Sequence, residues 1–174
     1  LLNFFSDSKK IAHHFHIPLQ SGNNKILKEM NRNYTIEQFA DSVAKIKKVL
    51  PEAAFGFDVI TGFPGESDEH FLQTLKFLEN IEFTYLHVFS YSKRKGTTAA
   101  KMSDQVHGDV TKTRTNILTK LSSKKLTRYT NYLINDKVIL RGIVERKSDG
   151  YCTALSDRFV RIYFESTSDV TGDF

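Results

Sequence analysis

Phe55-Gly56-Phe57-Asp58-Val59-Ile60-Thr61-Gly62-Phe63-Pro64-Gly65-Glu66-Ser67 is the stretch that decides the fold. Phe55 to Thr61 reads as a strand with Val59 and Ile60 at its centre, and Gly62-Phe63-Pro64-Gly65 as the loop that ends it. Ser67 then caps a helix whose first turn carries Asp68 and Glu69, where the helix dipole favours negative charge. The buried face of that helix is expected at Phe71, Leu72, Leu75 and Leu78.

The same unit recurs on both sides. Upstream, His14-Phe15-His16-Ile17-Pro18-Leu19-Gln20 reads as a short buried strand that stops at Ser21-Gly22. A compact segment with Ile26, Leu27 and Met30 follows it. Thr35 and Gln38 then have capping-box spacing. Apolar residues at Ile36, Phe39, Ala40, Val43, Ile46, Val49 and Leu50 predict one helical face, and Pro51 marks its end. Downstream, Thr84 to Tyr91 reads as a third strand, apolar on both faces as in a covered parallel sheet. Strand, helix, strand, helix, strand is the α/β pattern with right-handed crossovers. Three parallel strands cannot close a barrel, so in a barrel the missing strands would lie upstream.

Beyond the loop 92–107, a long helix is expected from about Asp109 to Leu133. Ile117, Leu118, Leu121, Leu126, Tyr129 and Leu133 line one side, and Lys112, Arg114, Lys120, Lys124, Lys125 and Arg128 spread over the rest. The texture changes near Asn135-Asp136. Val138-Ile139-Leu140, Ile143-Val144, Tyr151-Cys152-Thr153 and Phe159 to Tyr163 read as short strands, with a turn signal at Ser148-Asp149-Gly150. A small all-β domain is expected over 136–174, stopping where one more strand would follow. The division is thus 1–107, a basic connector 108–135, and 136–174.

Composition bounds the class. The 174 residues are 40% hydrophobic and 26% charged, with 14 Phe, 7 Tyr and no Trp, so the core is built from Phe and aliphatics. No apolar run approaches the ~18 residues of a membrane span, so no membrane partner is expected. The start, Leu1-Leu2-Asn3-Phe4-Phe5, resembles neither an initiator Met nor a signal peptide and reads as an internal cut. A lone cysteine, Cys152, excludes an internal disulfide and a Cys-rich metal site within the sequence, and a cytoplasmic setting is expected. The net charge of +5 is local: residues 93–137 carry 11 basic and 3 acidic residues, against 9 and 11 in 1–92 and 5 and 6 in 138–174. That clustering suits a polyanion partner. The competing reading of the charge alone is a solvated basic helix.

Three places stand out chemically. His13, His14 and His16 alternate in the manner of metal ligands, but no second ligand cluster is visible in the sequence, so no metal site is assigned and His16 is read as a strand side chain near a pocket. The Gly62 loop lies where parallel α/β folds bind ligands, beyond a strand's C-terminal end and before a helix N-terminus. Asp58, just ahead of it, is placed to accept hydrogen bonds from a hydroxyl or amino group. Lys93-Arg94-Lys95-Gly96-Thr97 follows the third strand at the same edge and suits a phosphate-bearing substrate. Taken singly, these read equally as a tight turn and a solvated loop.

Together the motifs resemble a known family. His16-Ile17-Pro18-Leu19-Gln20-Ser21-Gly22, Ile26 to Thr35, Asp58 to Glu66, and His87-Val88-Phe89-Ser90-Tyr91-Ser92 with Gly96-Thr97 and Ala99-Ala100 occur in the order and spacing of the radical-SAM methylthiotransferases. The resemblance implies the C-terminal half of a radical-SAM partial (TIM-like) barrel, followed by a small OB-like RNA-binding β module, the TRAM domain, truncated before its last strand. It implies that Gln20 and Ser21 face the ribose or methionine part of S-adenosylmethionine and that Arg32 lies near its carboxylate. It also implies that Asp58 and Gly62 support the same molecule from the next strand, and that Phe89 and Ser90 lie beside its adenine. Lys93, Arg94, Lys120, Lys124, Lys125 and Arg128 are the expected RNA contacts, with Tyr151, Phe159 and Tyr163 available to stack on bases. No catalytic residue is assigned within the chain.

The family's Cys-x-x-x-Cys-x-x-Cys motif is absent, and a 4Fe–4S cluster needs several thiolates. Its ligands are therefore expected outside this chain, and the chain alone is expected to be inactive. The implied parent reaction uses a reduced cluster and S-adenosylmethionine to make a deoxyadenosyl radical and adds a methylthio group to a modified adenosine of tRNA. His-Val-Phe-x-Tyr-Ser-Lys-Arg followed by Asp104-Gln105-Val106 looks most like the subgroup acting on threonylcarbamoyladenosine. The isopentenyl-adenosine subgroup and a ribosomal-protein subgroup follow. The rival reading is a non-enzymatic RNA-binding protein with an α/β scaffold. An open edge beside His16 leads to the expectation of dimerisation.

Overall fold

The computed structural model describes residue 5, residue 8, residues 10–168 and residues 170–172. Its first sheet is parallel, with strands β1 (His14–Gln20), β2 (Ala54–Thr61) and β3 (Tyr85–Ser90) in the order β1-β2-β3. Helices α1 (Asn24–Glu29) and α2 (Ile36–Val49) link β1 to β2, and α3 (Asp68–Asn80) links β2 to β3. A single turn α4 (Thr98–Lys101) precedes the 28-residue α5 (Gly108–Asn135). The second sheet is an antiparallel meander of β4 (Gly142–Ser148), β5 (Tyr151–Ser156) and β6 (Arg161–Glu165).

Local chemistry explains the element boundaries. Thr35 Oγ1 accepts from the Gln38 amide while the Gln38 side chain accepts from the Thr35 amide, which closes the expected capping box. Ser67 and His70 form a second such box at the start of α3, with the imidazole in the place a Glu or Gln usually takes. The Asp149-Gly150 turn between β4 and β5 has positive φ at both residues, the geometry that a two-residue hairpin demands.

The parallel sheet is two-faced. Phe15, Ile17, Phe55, Phe57, Val59 and Leu86 point to the helix-covered side and join Phe39, Val43, Phe71, Leu78 and Leu118 in one core. Phe55 and Phe57 are fully buried, each contributing about 1.5–3 kcal/mol by leaving water. Period 2 sends His14, His16, Asp58, Tyr85, His87 and Phe89 to the other side, which no helix or strand covers among the described residues, only the Phe159 ring lying over its His14 and Tyr85 end. This corrects the expectation that β3 is covered on both faces: Phe89 remains 51% exposed. The free edge of β1 has no strand partner among the described residues.

Further expectations shift in the connector and the β domain. Val138 to Leu140 is not a strand; the chain there is a link with Ile139 89% exposed. Ile117 and Leu126 are exposed, so α5 docks on the sheet chiefly through Leu118 and Ser122, with Leu121 partly buried beside them. Ser122 Oγ accepts from the Leu86 amide, a polar peg between helix and strand. The β domain has a thin core of Val144, Cys152 and Ala154 with Val170. It leans on the first sheet: Arg158 pairs with Glu52 at 3.3 Å, and the Phe159 ring stacks on His14 with centroids 4.5 Å apart. No helix among the described residues is long and apolar enough to cross a membrane.

Candidate functional site

The C-terminal ends of the strands form one rim of the open face. Gln20 sits there with φ +67, just past a register shift between Pro18 and Gln20, and is nearly buried. Ser21 is wholly buried. Its hydroxyl accepts from the Asn23 amide and meets Thr74 Oγ1 at 3.4 Å, so its side chain serves the turn rather than the open face. The Tyr34 hydroxyl donates to the carbonyls of Pro18 and Leu19, which holds the segment carrying exposed Arg32 against this rim. Sequence reasoning missed Tyr34, whose aromatic character alone gave no sign of the bond.

The glycine loop is built differently from expectation. Gly62 has φ +73, and a Cβ there would overlap the Thr111 side chain of α5. The missing Cβ thus makes room for helix packing. Glu66, part of the quoted motif but given no role of its own from the sequence, is buried and accepts from the Gly62 amide at 2.8 Å. Arg114, expected on the polar side of α5, is buried instead. It donates to Glu66 Oε2 at 2.7 Å, to the Glu66 carbonyl at 2.9 Å and to Asp68 at 2.7 Å. Burial raises the Glu66 carboxyl above its ordinary range, against the opposing pull of the Gly62 amide and Arg114. Ser90 Oγ and Thr61 Oγ1 both meet Thr115 Oγ1, at 2.9 and 2.7 Å, so the Ser90 side chain turns towards α5 and only Phe89 of that pair lies on the open face.

In the middle of that face, Asp58 lies between two imidazoles. His16 Nε2 is 2.8 Å and His87 Nδ1 3.4 Å from Asp58 Oδ1. Below them the Tyr85 hydroxyl bonds His14 Nε2 at 2.9 Å, and Gly56 permits this because any Cβ there would overlap the Tyr85 ring. Burial, then His16 and His87, push His14 down to about 4; burial, then Asp58, push Tyr85 up to about 12. The notion that no second ligand cluster accompanies the histidines is therefore corrected: Asp58 and His87 arrive from β2 and β3. The sequence hides this because cross-strand register is not written in it.

The expected RNA contacts separate into two groups. Lys120, Lys124 and Arg128 are exposed and spaced i, i+4, i+8, one cationic stripe on α5. Lys93 and Arg94 are exposed in the loop after β3. Lys125 departs from the group. Its ammonium donates to the carbonyls of Glu79 and Ile81 and lies 4.9 Å from the Phe83 ring centre, and burial lowers its pKa. Tyr151 and Tyr163 are 52% and 69% exposed, whereas Phe159 is engaged by His14 and Tyr85.

The rim fits an adenosyl ligand in part. Phe89 offers an aromatic face, Arg32 a free-standing guanidinium on a pinned segment, and the Tyr91 hydroxyl is buried with no hydrogen-bond partner among the described residues. An iron–sulfur cluster does not fit this chain's residues: the one thiol, Cys152, is buried in the β domain.

Comparison with known proteins agrees with this geometry. Residues 2–78 match the Radical SAM superfamily. The chain is 41% identical over 168 residues to the threonylcarbamoyladenosine tRNA methylthiotransferase MtaB of Bacillus subtilis, covering 95% of this chain and 37% of that protein. It is 45% identical over 124 residues to the tRNA-2-methylthio-N(6)-dimethylallyladenosine synthase of Pelotomaculum thermopropionicum, covering 71% and 28%. The chain thus spans about a third of the length of the curated relatives it matches. The Escherichia coli coproporphyrinogen III oxidase, a radical SAM enzyme, superimposes with a TM-score of 0.53 at 15% identity over 83% of this chain and 39% of its own, a likeness of fold alone. By its motifs, its two-faced parallel sheet and these relatives, the chain belongs to the radical-SAM methylthiotransferase family.

Proposed function

We propose that this chain supplies the S-adenosylmethionine-facing second half of the barrel, and the RNA-contacting module, of an enzyme that methylthiolates threonylcarbamoyladenosine in tRNA. The observation that carries the reading is the two-faced sheet: one side is packed with Phe, the other is polar and uncovered, as the inner wall of an incomplete barrel. The match to the Bacillus enzyme supports the nucleoside, because it runs through the sheet, the connector and the β domain.

In this reading, S-adenosylmethionine and a cluster held by residues outside the chain supply the radical chemistry. The chain's own residues bind and orient. Arg32 pairs with the methionine carboxylate, and Phe89 covers one side of the adenine. The Glu66–Arg114 pair fixes the loop beneath them, while Lys120, Lys124 and Arg128 meet phosphates. Residues 136–174 act as a TRAM-type module, with Tyr151 and Tyr163 stacking on unpaired bases. A sequence with one cysteine cannot assemble the cluster, so the chain by itself cleaves no S-adenosylmethionine.

Binding tests this directly. Anticodon stem-loops bearing threonylcarbamoyladenosine, isopentenyl-adenosine or plain adenosine are titrated at two salt concentrations. Tightest binding to the first is expected, with a log–log salt slope of roughly −0.7 per phosphate contact. Equal, salt-independent affinities would remove the RNA role. Calorimetry with S-adenosylmethionine, wild type against Arg32→Ala and Phe89→Ala, tests the rim.

A further inference from the structure

We infer that His16, Asp58 and His87 form a three-ligand site for a divalent transition-metal ion on the open face of the parallel sheet, separate from the iron–sulfur chemistry. The three residues come from three adjacent strands. Asp58 pairs in register with His87, and His16 lies one step back on β1, opposite Gly56. The pleat sends all three to one face, and His16 Nε2, Asp58 Oδ1 and His87 Nδ1 lie within 4.8 Å of one another. Of the two separations, 3.4 Å lies within the roughly 3–3.5 Å between neighbouring ligands of an ion bound at about 2.0–2.2 Å, and 2.8 Å, a hydrogen-bond length, falls just under it. Only the two imidazoles must draw together, and both are partly exposed, with side chains 36% and 50% accessible.

The surroundings suit a metal better than a plain hydrogen-bonded trio. His16 Nδ1, the nitrogen facing away from Asp58, lies 3.5 Å from the Tyr85 hydroxyl, the outer partner that a ligating imidazole needs. Tyr85 is itself held by His14 Nε2 and by stacking against Phe159. The Phe89 ring meets His87 edge-on, with centroids 6.3 Å apart, and forms an apolar wall on the rim side. Two imidazoles and one carboxylate on one side of an ion leave its remaining positions facing the uncovered side, the arrangement of metal sites that accept water or a ligand oxygen. The occupant of those positions is therefore an oxygen donor, water or a carboxylate. Soft thiolate chemistry has no part here, and nitrogen-rich ligation favours zinc, cobalt or ferrous iron over magnesium or calcium.

The test uses the untagged 174-residue chain after chelator treatment and dialysis. Cobalt is added stepwise while its visible ligand-field absorption is recorded, and zinc is then used to displace it. One equivalent is expected to saturate at micromolar concentration, on the order of the affinity of a partial site. His87→Ala and Asp58→Asn are each expected to weaken binding by at least about tenfold, while His13→Ala leaves it unchanged. The substituted positions are partly exposed, so unchanged far-ultraviolet circular dichroism should accompany the loss. Failure to saturate below millimolar cobalt, or undiminished binding in Asp58→Asn, would overturn the inference. The readout is the metal's own absorption, taken with neither RNA nor S-adenosylmethionine present, so its failure leaves the proposed function standing.

Discussion

Replacing Arg114 with Ala tests whether the loop at the strand ends is held by a buried ion pair. Arg114 is 4% exposed and makes two charge-assisted bonds to carboxylates and one to a carbonyl. Asp68 is 91% exposed, so water screens that contact and it adds little. Glu66 is different: its side chain is 1% exposed and loses the guanidinium paired with it. Stranding a buried charge costs about 3–5 kcal/mol. At roughly 2–4 °C per kcal/mol for a chain of this size, melting should fall by on the order of 10 °C. The cost should depend on pH in a stated direction. Burial already raises the Glu66 pKa, and removing the guanidinium raises it further, so acidification neutralises the stranded carboxylate and restores part of the loss. Glu66→Gln in the Arg114→Ala background should recover stability at neutral pH for the same reason. Urea denaturation at neutral and mildly acidic pH, on the single and double variants, measures all three effects. A penalty under about 1 kcal/mol with no pH dependence would refute the reasoning.

Lys124→Glu should leave stability within about 0.5 kcal/mol while weakening RNA binding, whereas Lys125→Glu should cost roughly 1.5–3 kcal/mol, because it strands the carbonyls of Glu79 and Ile81; denaturant midpoints separate the two. Phe159→Ala removes the stack on His14 and Tyr85, worth about 0.5–1.5 kcal/mol, and should speed proteolysis of the link at residues 138–141 without lowering the melting of the first sheet. Tyr129 is pushed up to about 12 by burial, so the unfolded chain ionises there first; stability should decline as pH rises from the ordinary tyrosine value of about 10 towards 12, and less steeply in Tyr129→Phe. Ultraviolet titration of phenolate against circular dichroism checks this.

How much of this was legible in the sequence depends on the range of each interaction. Thr35 with Gln38, Ser67 with Asp68 and Glu69, and Asp149-Gly150 act within four residues, and their caps and turn appear where their spacing put them. The three parallel strands were legible for the same reason, from short apolar runs between turn signals. Arg114 was not, because a charged residue on a basic helix reads as solvated until Glu66 is brought to it from 48 positions away. Lys125 failed likewise, through carbonyls 44 and 46 positions distant. The His16–Asp58–His87 constellation needs two strand registers at once. Val138 to Leu140 has strand composition, yet it lacks a pairing partner and stays a link.

The 28 residues of α5 make a rod of about 42 Å at 1.5 Å per residue. One end is fastened at Gly62 and Glu66, beside the strand ends; near the other, the Tyr129 hydroxyl donates to the Glu52 carbonyl, next to the contact of Arg158 with Glu52. The helix is therefore a ruler with fixed graduations. One residue inserted between Arg114 and Tyr129 would swing everything beyond it by about 100° and lengthen the span by 1.5 Å, tearing one fastening or the other. Four residues would nearly restore the angle but displace the β domain by about 6 Å. The span between rim and β domain is thus set by counting residues, and it can change without a large swing only in near-whole turns.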